Sequence, residues 1–285
     1  MDKIYACIDG LAATGATIDW AAWAALRLDA PLELLHALPR PPEPPHVGDY
    51  GGALGLGAQE VLLQQLSALD AQREKIAQEA GHQMLSGASE RARAAGVVPT
   101  ATHLRHGALE DLAVELEPEA RLFVLGTHFR GSSHQRLHLD HHVERVIRTV
   151  QRPVLVATAE KFVAPERFVI AYDGSATARE AVRRVATSPL LHGLPALLAM
   201  AGDDTPAARQ ALDEARLLLH GAGFAAETML LPGEPEQVLP TLLKSQGAAL
   251  LVMGAYGHSR IRHLIVGSTT TTLLRLSEVP VLILR

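Results

Sequence analysis

The run Ala248-Ala-Leu-Leu-Val-Met253 passes directly into Gly254-Ala-Tyr-Gly257-His258-Ser-Arg-Ile-Arg-His-Leu-Ile-Val-Gly267-Ser268-Thr269, and a segment with helical character follows from Thr270 to Leu276. A short apolar run closed by glycine reads as a buried strand. The glycines then sit where a strand leaves the sheet, and the Gly-Ser-Thr triplet sits where a helix begins. Backbone N–H groups can approach an anion closely in such a place, with the positive end of a helix behind them. Phosphate is the natural guest.

Working outward, the chain is written twice. Ala6-Cys-Ile-Asp9-Gly10 matches Ile170-Ala-Tyr-Asp173-Gly174, with the two aspartates offset by 164. Leu34-Leu-His36-Ala37 aligns with Leu197-Leu-Ala199-Met200 at an offset of 163. Leu122-Phe-Val-Leu-Gly126 matches Leu250-Leu-Val-Met-Gly254 at 128, and Arg152-Pro-Val-Leu-Val156 matches Val279-Pro-Val-Leu-Ile283 at 127. Helix-period segments lie between these runs: Thr14 to Leu28, Leu109 to Leu116, Ala176 to Ala186 and Glu236 to Leu243. Strands alternating with helices indicate parallel sheets covered on both faces. The fold class is therefore α/β: two tandem doubly wound domains, each a five-stranded parallel sheet with helices on both faces. We place the domains at residues 1–158 and 166–285, joined by a linker over Thr158 to Arg167.

The falling offset locates an insertion in the first half, after its second strand. It begins with Pro39-Arg-Pro-Pro-Glu-Pro-Pro45 and a glycine-rich stretch from Gly48 to Gly57. A long helical segment, about Gln59 to Ala95, follows, against a short counterpart at Pro206 to Gly221. The loop reads as a tolerated surface insertion, with a lid or partner contact as the sharper alternative. The last strand of each half, Pro153 to Ala157 and Pro280 to Leu284, would be a sheet edge in need of cover. In a duplicated chain the simplest cover is each other, an intramolecular pseudo-dimer; a homodimer is a further option.

Composition narrows the function. Apolar residues make up 48% of the 285 residues, with only 4% aromatic, so the core is aliphatic. A net charge of −5 argues against a general nucleic-acid binder. The single cysteine, Cys7, lies in an apolar run and reads as a buried structural thiol in a reducing compartment. No signal peptide and no apolar stretch long enough to span a membrane is evident. These features point to a cytoplasmic protein with no membrane partner.

In doubly wound sheets, ligands occupy the crevice beyond the strand C-termini, where strand order reverses. Asp173, Met200, Met253 and Gly254 end three strands and can border one crevice. Asp173 can accept hydrogen bonds from a base or ribose, and the two methionines can clamp a flat ring. The same residues have plainer readings: Asp173 as a helix N-cap in its Asp-Gly-Ser run, the methionines as core. Gly254, Gly257, Gly267 and Ser268 fit the spacing G-x2-G-x9-G followed by Ser or Thr. On these residues, the repeated strand-end Asp and the closing Pro-Val-Leu strands, the chain resembles the universal stress protein family in its tandem two-domain form. The resemblance covers both halves. It implies that Ala171, Asp173, Met200 and Met253 contact adenine or ribose. It also implies that Gly254, Gly257, His258, Gly267, Ser268 and Thr269 cradle the phosphates of ATP, with Mg. Arg260 and Arg262 are within reach of the phosphates or else simply solvated.

The first half departs from this pattern. In Gly126-Thr-His-Phe129-Arg-Gly-Ser-Ser-His-Gln-Arg-Leu-His-Leu-Asp140-His141, Phe129 stands where the second glycine belongs. Asp140 and His141 replace the Gly-Ser pair. A left-handed Phe129 would cost roughly 1–2 kcal/mol, and a carboxylate about 4 Å from a phosphate charge about 4 kcal/mol at an effective dielectric of 20. Together these remove a factor of several thousand in affinity, so the expectation is one nucleotide per chain, in the C-terminal half. No nucleophile elbow, Cys-His pair or Walker-type Gly-Lys-Ser/Thr occurs, so at most slow ATP hydrolysis is expected. The function this implies is a nucleotide-dependent stress-response or regulatory protein. The alternatives are a nucleotide-free interaction scaffold and a weak ATPase.

His128, His134, His138, His141 and His142 crowd the first half's loop, and the four-residue spacings would suit zinc on a helix. Solvated loop histidines are the commoner case. Zinc assayed after exhaustive dialysis is expected well below one equivalent; a retained equivalent would establish a site there.

Overall fold

The computed structural model describes residues 2–39, 56–127, 141–247, 249–254 and 268–285. The first half runs β1 (Lys3–Ile8), α1 (Thr14–Leu28), β2 (Leu32–Leu38), α2 (Leu56–Ala94), β3 (Ala101–His106), α3 (Leu109–Leu116), β4 (Ala120–Gly126), α4 (His141–Thr149) and β5 (Val154–Ala157). The second runs β6 (Arg167–Ala171), α5 (Ala176–Thr187), β7 (Ala196–Ala201), α6 (Pro206–Gly221), β8 (Ala226–Leu231), α7 (Pro235–Ser245), β9 (Ala249–Gly254), α8 (Ser268–Leu276) and β10 (Val281–Leu284).

All ten strands lie in one sheet, in the order β3-β2-β1-β4-β5-β10-β9-β6-β7-β8. Pairing within each half is parallel. At the centre, β5 and β10 pair antiparallel, with Val154 opposite Ile283, Leu155 opposite Leu282 and Val156 opposite Val281. The edges expected to cover each other do so. The sequence pattern of each strand follows its place. Central strands such as β4 (ARLFVLG) and β9 (ALLVMG) are apolar throughout because both faces are covered. The outermost strands, β3 (ATHLRH) and β8 (AETMLL), carry polar and charged residues that blunt an open edge.

Two apolar layers sandwich the sheet. One is built from α1, the end of α2, α5 and α6; the other from α3, α4, α7 and α8. Among its described residues, the insertion in the first half reaches the core through the end of α2, where Leu85, Ala88 and Ala92 are buried, while Val61, Leu69 and Ile76 stay exposed. Residues 40–55 of that insertion lie outside the described residues. The halves also meet through helix α1. Trp20 packs edge-on against Phe162 of the linker, with ring centroids 4.8 Å apart. The Arg27 guanidinium, stacked over Trp23, donates to the carbonyls of Leu190 and His192.

Strand register corrects one alignment. Ile4 pairs with Leu32, and Phe168 pairs with Ala196, so the second strands of the two halves are offset by 164, not 163. His36 is therefore the counterpart of Met200 and not of Ala199. Because side chains alternate along a strand, a slip of one residue exchanges the two faces.

The Leu155–Leu282 contact at the seam should be costly to remove. Leu155→Ala or Leu282→Ala is expected to lower the unfolding free energy by about 2–5 kcal/mol in urea titrations, and the double variant by less than the sum, because the two side chains share one cavity.

Candidate functional site

In the second half, β7 and β8 lie on one side of β6, and β9 and β10 on the other. The chain therefore reverses its direction of winding between β6 and β9, which opens a crevice beyond their C-terminal ends. Ala171 and Met253 are register partners on adjacent strands and share the face covered by α7 and α8. Met200, at the end of β7, belongs to the layer on the other face. Both methionines are buried. The two thioethers therefore do not form the clamp around one flat ring that the sequence suggests; Met253 is on the Ala171 face and Met200 is not.

Asp173 is exposed just past β6. Its Oδ1 accepts from the Ser175 N–H at 2.9 Å. Ser175 is the N-cap of α5, its hydroxyl accepting from the Ala178 N–H at 3.1 Å. The capping role that an Asp-Gly-Ser run offers to its aspartate thus falls to the serine. The second oxygen of Asp173 takes no hydrogen bond from the described residues and remains a free acceptor at the crevice. Gly174 makes the turn at φ +71°, a left-handed conformation that side chains rarely adopt.

Gly254, the first glycine of the loop motif, has a packing reason of its own. A Cβ there would lie 2.8 Å from the carbonyl oxygen of Thr177, in the first turn of α5. The end of β9 and the start of α5 touch backbone to backbone. Gly257, His258 and Gly267 lie outside the described residues, as do Arg260 and Arg262 and the side chains of Ser268 and Thr269. Helix α8 nevertheless begins at Ser268, and its first turn contains no acidic residue. The positive end of that helix is left uncompensated by its own sequence.

Comparison with known proteins shows the family. The model of the universal stress protein family matches residues 1–158 and 192–285. Universal stress protein Slr1230 of Synechocystis is 32% identical over 288 residues, spanning 100% of both chains. The chain belongs to the universal stress protein family. A crystal structure of a universal stress protein from Archaeoglobus fulgidus matches 99% of this chain and 98% of its own, with a TM-score of 0.72 at 15% identity, which establishes a shared fold. A universal stress protein crystallised with cAMP, 28% identical, matches 43% of this chain and 98% of its own at a TM-score of 0.37.

The two universal stress protein halves differ at the corresponding places. Cys7 is the counterpart of Ala171, and burial, with the charge of Asp9, pushes its thiol up to about 12. It is a neutral, packed group at physiological pH. Asp9 is more engaged than Asp173: its Oδ1 accepts from the Leu11 N–H at 3.0 Å and the Thr14 hydroxyl at 2.9 Å. A Cβ on Gly10 would lie 2.5 Å from Met84 Cε, whereas one on Gly174 would meet only Ala211 Cβ, at 3.6 Å. The long helix α2 therefore sets Met84 on the first half's strand-end turn, where α6 offers a methyl group. Helix α4 carries Glu144 in its first turn, so its positive end is already compensated. Phe129, Asp140 and most of the histidine-rich loop lie outside the described residues. Among the described residues, no cluster of three His, Cys, Asp or Glu is placed to hold a metal ion, and no helix is long and apolar enough to cross a membrane.

Sequence reasoning did not find Ser175, Thr177 or Met84. Ser175 was legible in principle, since serine directly before an Ala-rich helix is a favoured N-cap. Thr177 and Met84 act through contacts between elements, which no local pattern announces. Gly254→Ala is expected to lower stability by about 1–3 kcal/mol through overpacking against Thr177, read as a fall in the thermal midpoint without any ligand present.

Proposed function

We propose that this universal stress protein binds one adenine nucleotide per chain, ATP accompanied by Mg2+, in the crevice beyond β6 and β9. Its two units, residues 1–158 and 166–285, divide the work: the second holds the nucleotide and the first is a structural partner. The observation that carries this reading is the helix α8 N-terminus. It has no acid in its first turn, and it closes a Gly254–Gly257–Gly267–Ser268 motif that starts at the switch point of the sheet.

Charge decides between the halves. An acid-free helix N-terminus favours a phosphate, each such end being worth about 0.3–1 kcal/mol at an exposed site. Glu144 supplies that stabilisation internally in the first half. The open acceptor on Asp173 suits a ribose hydroxyl, and the Ala171–Met253 face suits the base, with the end of β7 at Met200 beside it. Gly254, Gly257, His258, Gly267, Ser268 and Thr269 would surround the phosphates, by the family resemblance of the motif. The polar groups fit a nucleoside triphosphate: backbone N–H groups and hydroxyls to donate to the phosphates, and a carboxylate to accept from the sugar. Mg2+ would accompany the phosphates, the usual manner for this ion. Occupancy is the signal, favouring one surface or assembly of the protein over another.

Calorimetric titration of nucleotide-stripped protein with Mg-ATP tests this. Binding at one nucleotide per chain is expected, lost in Gly257→Phe and weakened about tenfold or more in Asp173→Ala, the range for a hydrogen bond with a charged partner. Asp9→Ala should bind as the wild type does. No binding by wild-type protein would instead leave an interaction scaffold without nucleotide.

A further inference from the structure

Away from the strand-end crevice, a cavity of about 240 Å3 lies at the seam between the halves. Its walls come from both. The first half contributes Leu28 at the end of α1, Arg121 at the start of β4 and Arg152 ahead of β5; the second contributes Leu191, Leu282 and Leu284. Arg184 and Thr187 of α5 stand at the same opening.

The arginines are unusual for their charge balance. All three are half-buried. Arg184 has a carboxylate, Glu180, at 3.4 Å. The Arg121 guanidinium donates to the Leu28 carbonyl at 3.0 Å, and that of Arg152 to the Glu117 carbonyl at 3.2 Å. Neither of these two guanidiniums is ion-paired among the described residues; the Glu117 carboxylate accepts from the Arg152 backbone N–H at 3.0 Å instead. Each keeps further N–H donors for which those bonds do not account. A half-buried cation without a counter-ion forgoes stabilisation that an anion would supply. The repeat shows that the fold does not demand these residues, because strand register makes Ala249 the counterpart of Arg121 and Val279 that of Arg152.

We propose that the seam cavity binds a small organic anion with an apolar body, of the medium-chain carboxylate class. Its carboxylate is held by Arg121 and Arg152, and its chain lies on Leu28, Leu191, Leu282 and Leu284. The forked guanidinium matches a carboxylate in geometry as well as charge. Size sets the class: at about 30 Å3 for each water in the liquid, the cavity has room for about eight waters, which suits a ligand of about ten heavy atoms. Because both halves line it, the ligand binds the joined state and stabilises it.

The test uses the full chain without nucleotide, titrated separately with sodium octanoate, octan-1-ol and sodium phosphate, following heat and thermal midpoint. Octanoate is expected to saturate at one per chain and to raise the midpoint, with octanol and phosphate each at least tenfold weaker. Arg121→Met and Arg152→Met should each weaken octanoate at least tenfold. Thr187→Trp provides a check that does not touch the arginines. Thr187 is exposed at the rim, its hydroxyl bonds only to carbonyls of its own helix, and the indole should block entry. If octanoate fails to saturate, if octanol or phosphate binds as tightly, or if Thr187→Trp leaves octanoate binding unchanged, the assignment is wrong.

Discussion

Three residue pairs of antiparallel backbone, Val154 to Val156 against Val281 to Ile283, join the two halves into one sheet. Without them each half would end in a short, apolar, hydrogen-bonding edge, the kind of surface that recruits other chains. Pairing the edges satisfies their backbone groups and buries β5 and β10 on both faces, so that all four residues of each strand are buried. A parallel join would have required one half to be turned over. The antiparallel join relates the halves by an approximate twofold and places α1 and α5 on the same face, where α1, Phe162 and Arg27 add a second set of contacts.

Duplication freed the halves to diverge. In the second, the strand-end turn at Asp173-Gly174 is left open, and α8 begins without an acid. In the first, the same turn lies under Met84, and α4 begins with its own compensating charge. The change that covers the first turn is the helix that follows the insertion: α2 runs for 39 residues against 16 in α6. Two copies of one domain thus give, in this chain, one half proposed to bind a nucleotide and one proposed to support it. The seam cavity follows the same logic, since Arg121 and Arg152 of the first half have Ala249 and Val279 as their counterparts in the second.

Much of this was legible in the residues. Helices α1, α3 and α6 run between the residues expected of them, α2, α5, α7 and α8 differ from expectation by a few residues at their ends, and α4 was not read from the sequence at all. The agreement has a physical basis: strands covered on both faces must be apolar throughout, and helices must keep one apolar stripe, so burial writes itself into local pattern. The second strand shows where pattern fails. Leu34-Leu-His36-Ala37 and Leu197-Leu-Ala199-Met200 are apolar at nearly every position, so they align equally well one residue apart, and only hydrogen-bonded register separates the alternatives. Within the second half, Ala199 pairs with Ala171, so Met200 takes the face opposite to Met253.

The amino-acid sequence by itself determined the duplication, the α/β class, four strands of each half, the family and the location of the glycine motif, because each is carried by local composition or by spacing along the chain. Tertiary structure alone decided the antiparallel register in which the two expected edges meet, that Ser175 rather than Asp173 caps α5, that Met84 covers one turn while Ala211 leaves the other open, and that Arg121 and Arg152 line a cavity shared by both halves. These depend on contacts between residues far apart in the chain, where packing and hydrogen-bond geometry, not local propensity, select the partner.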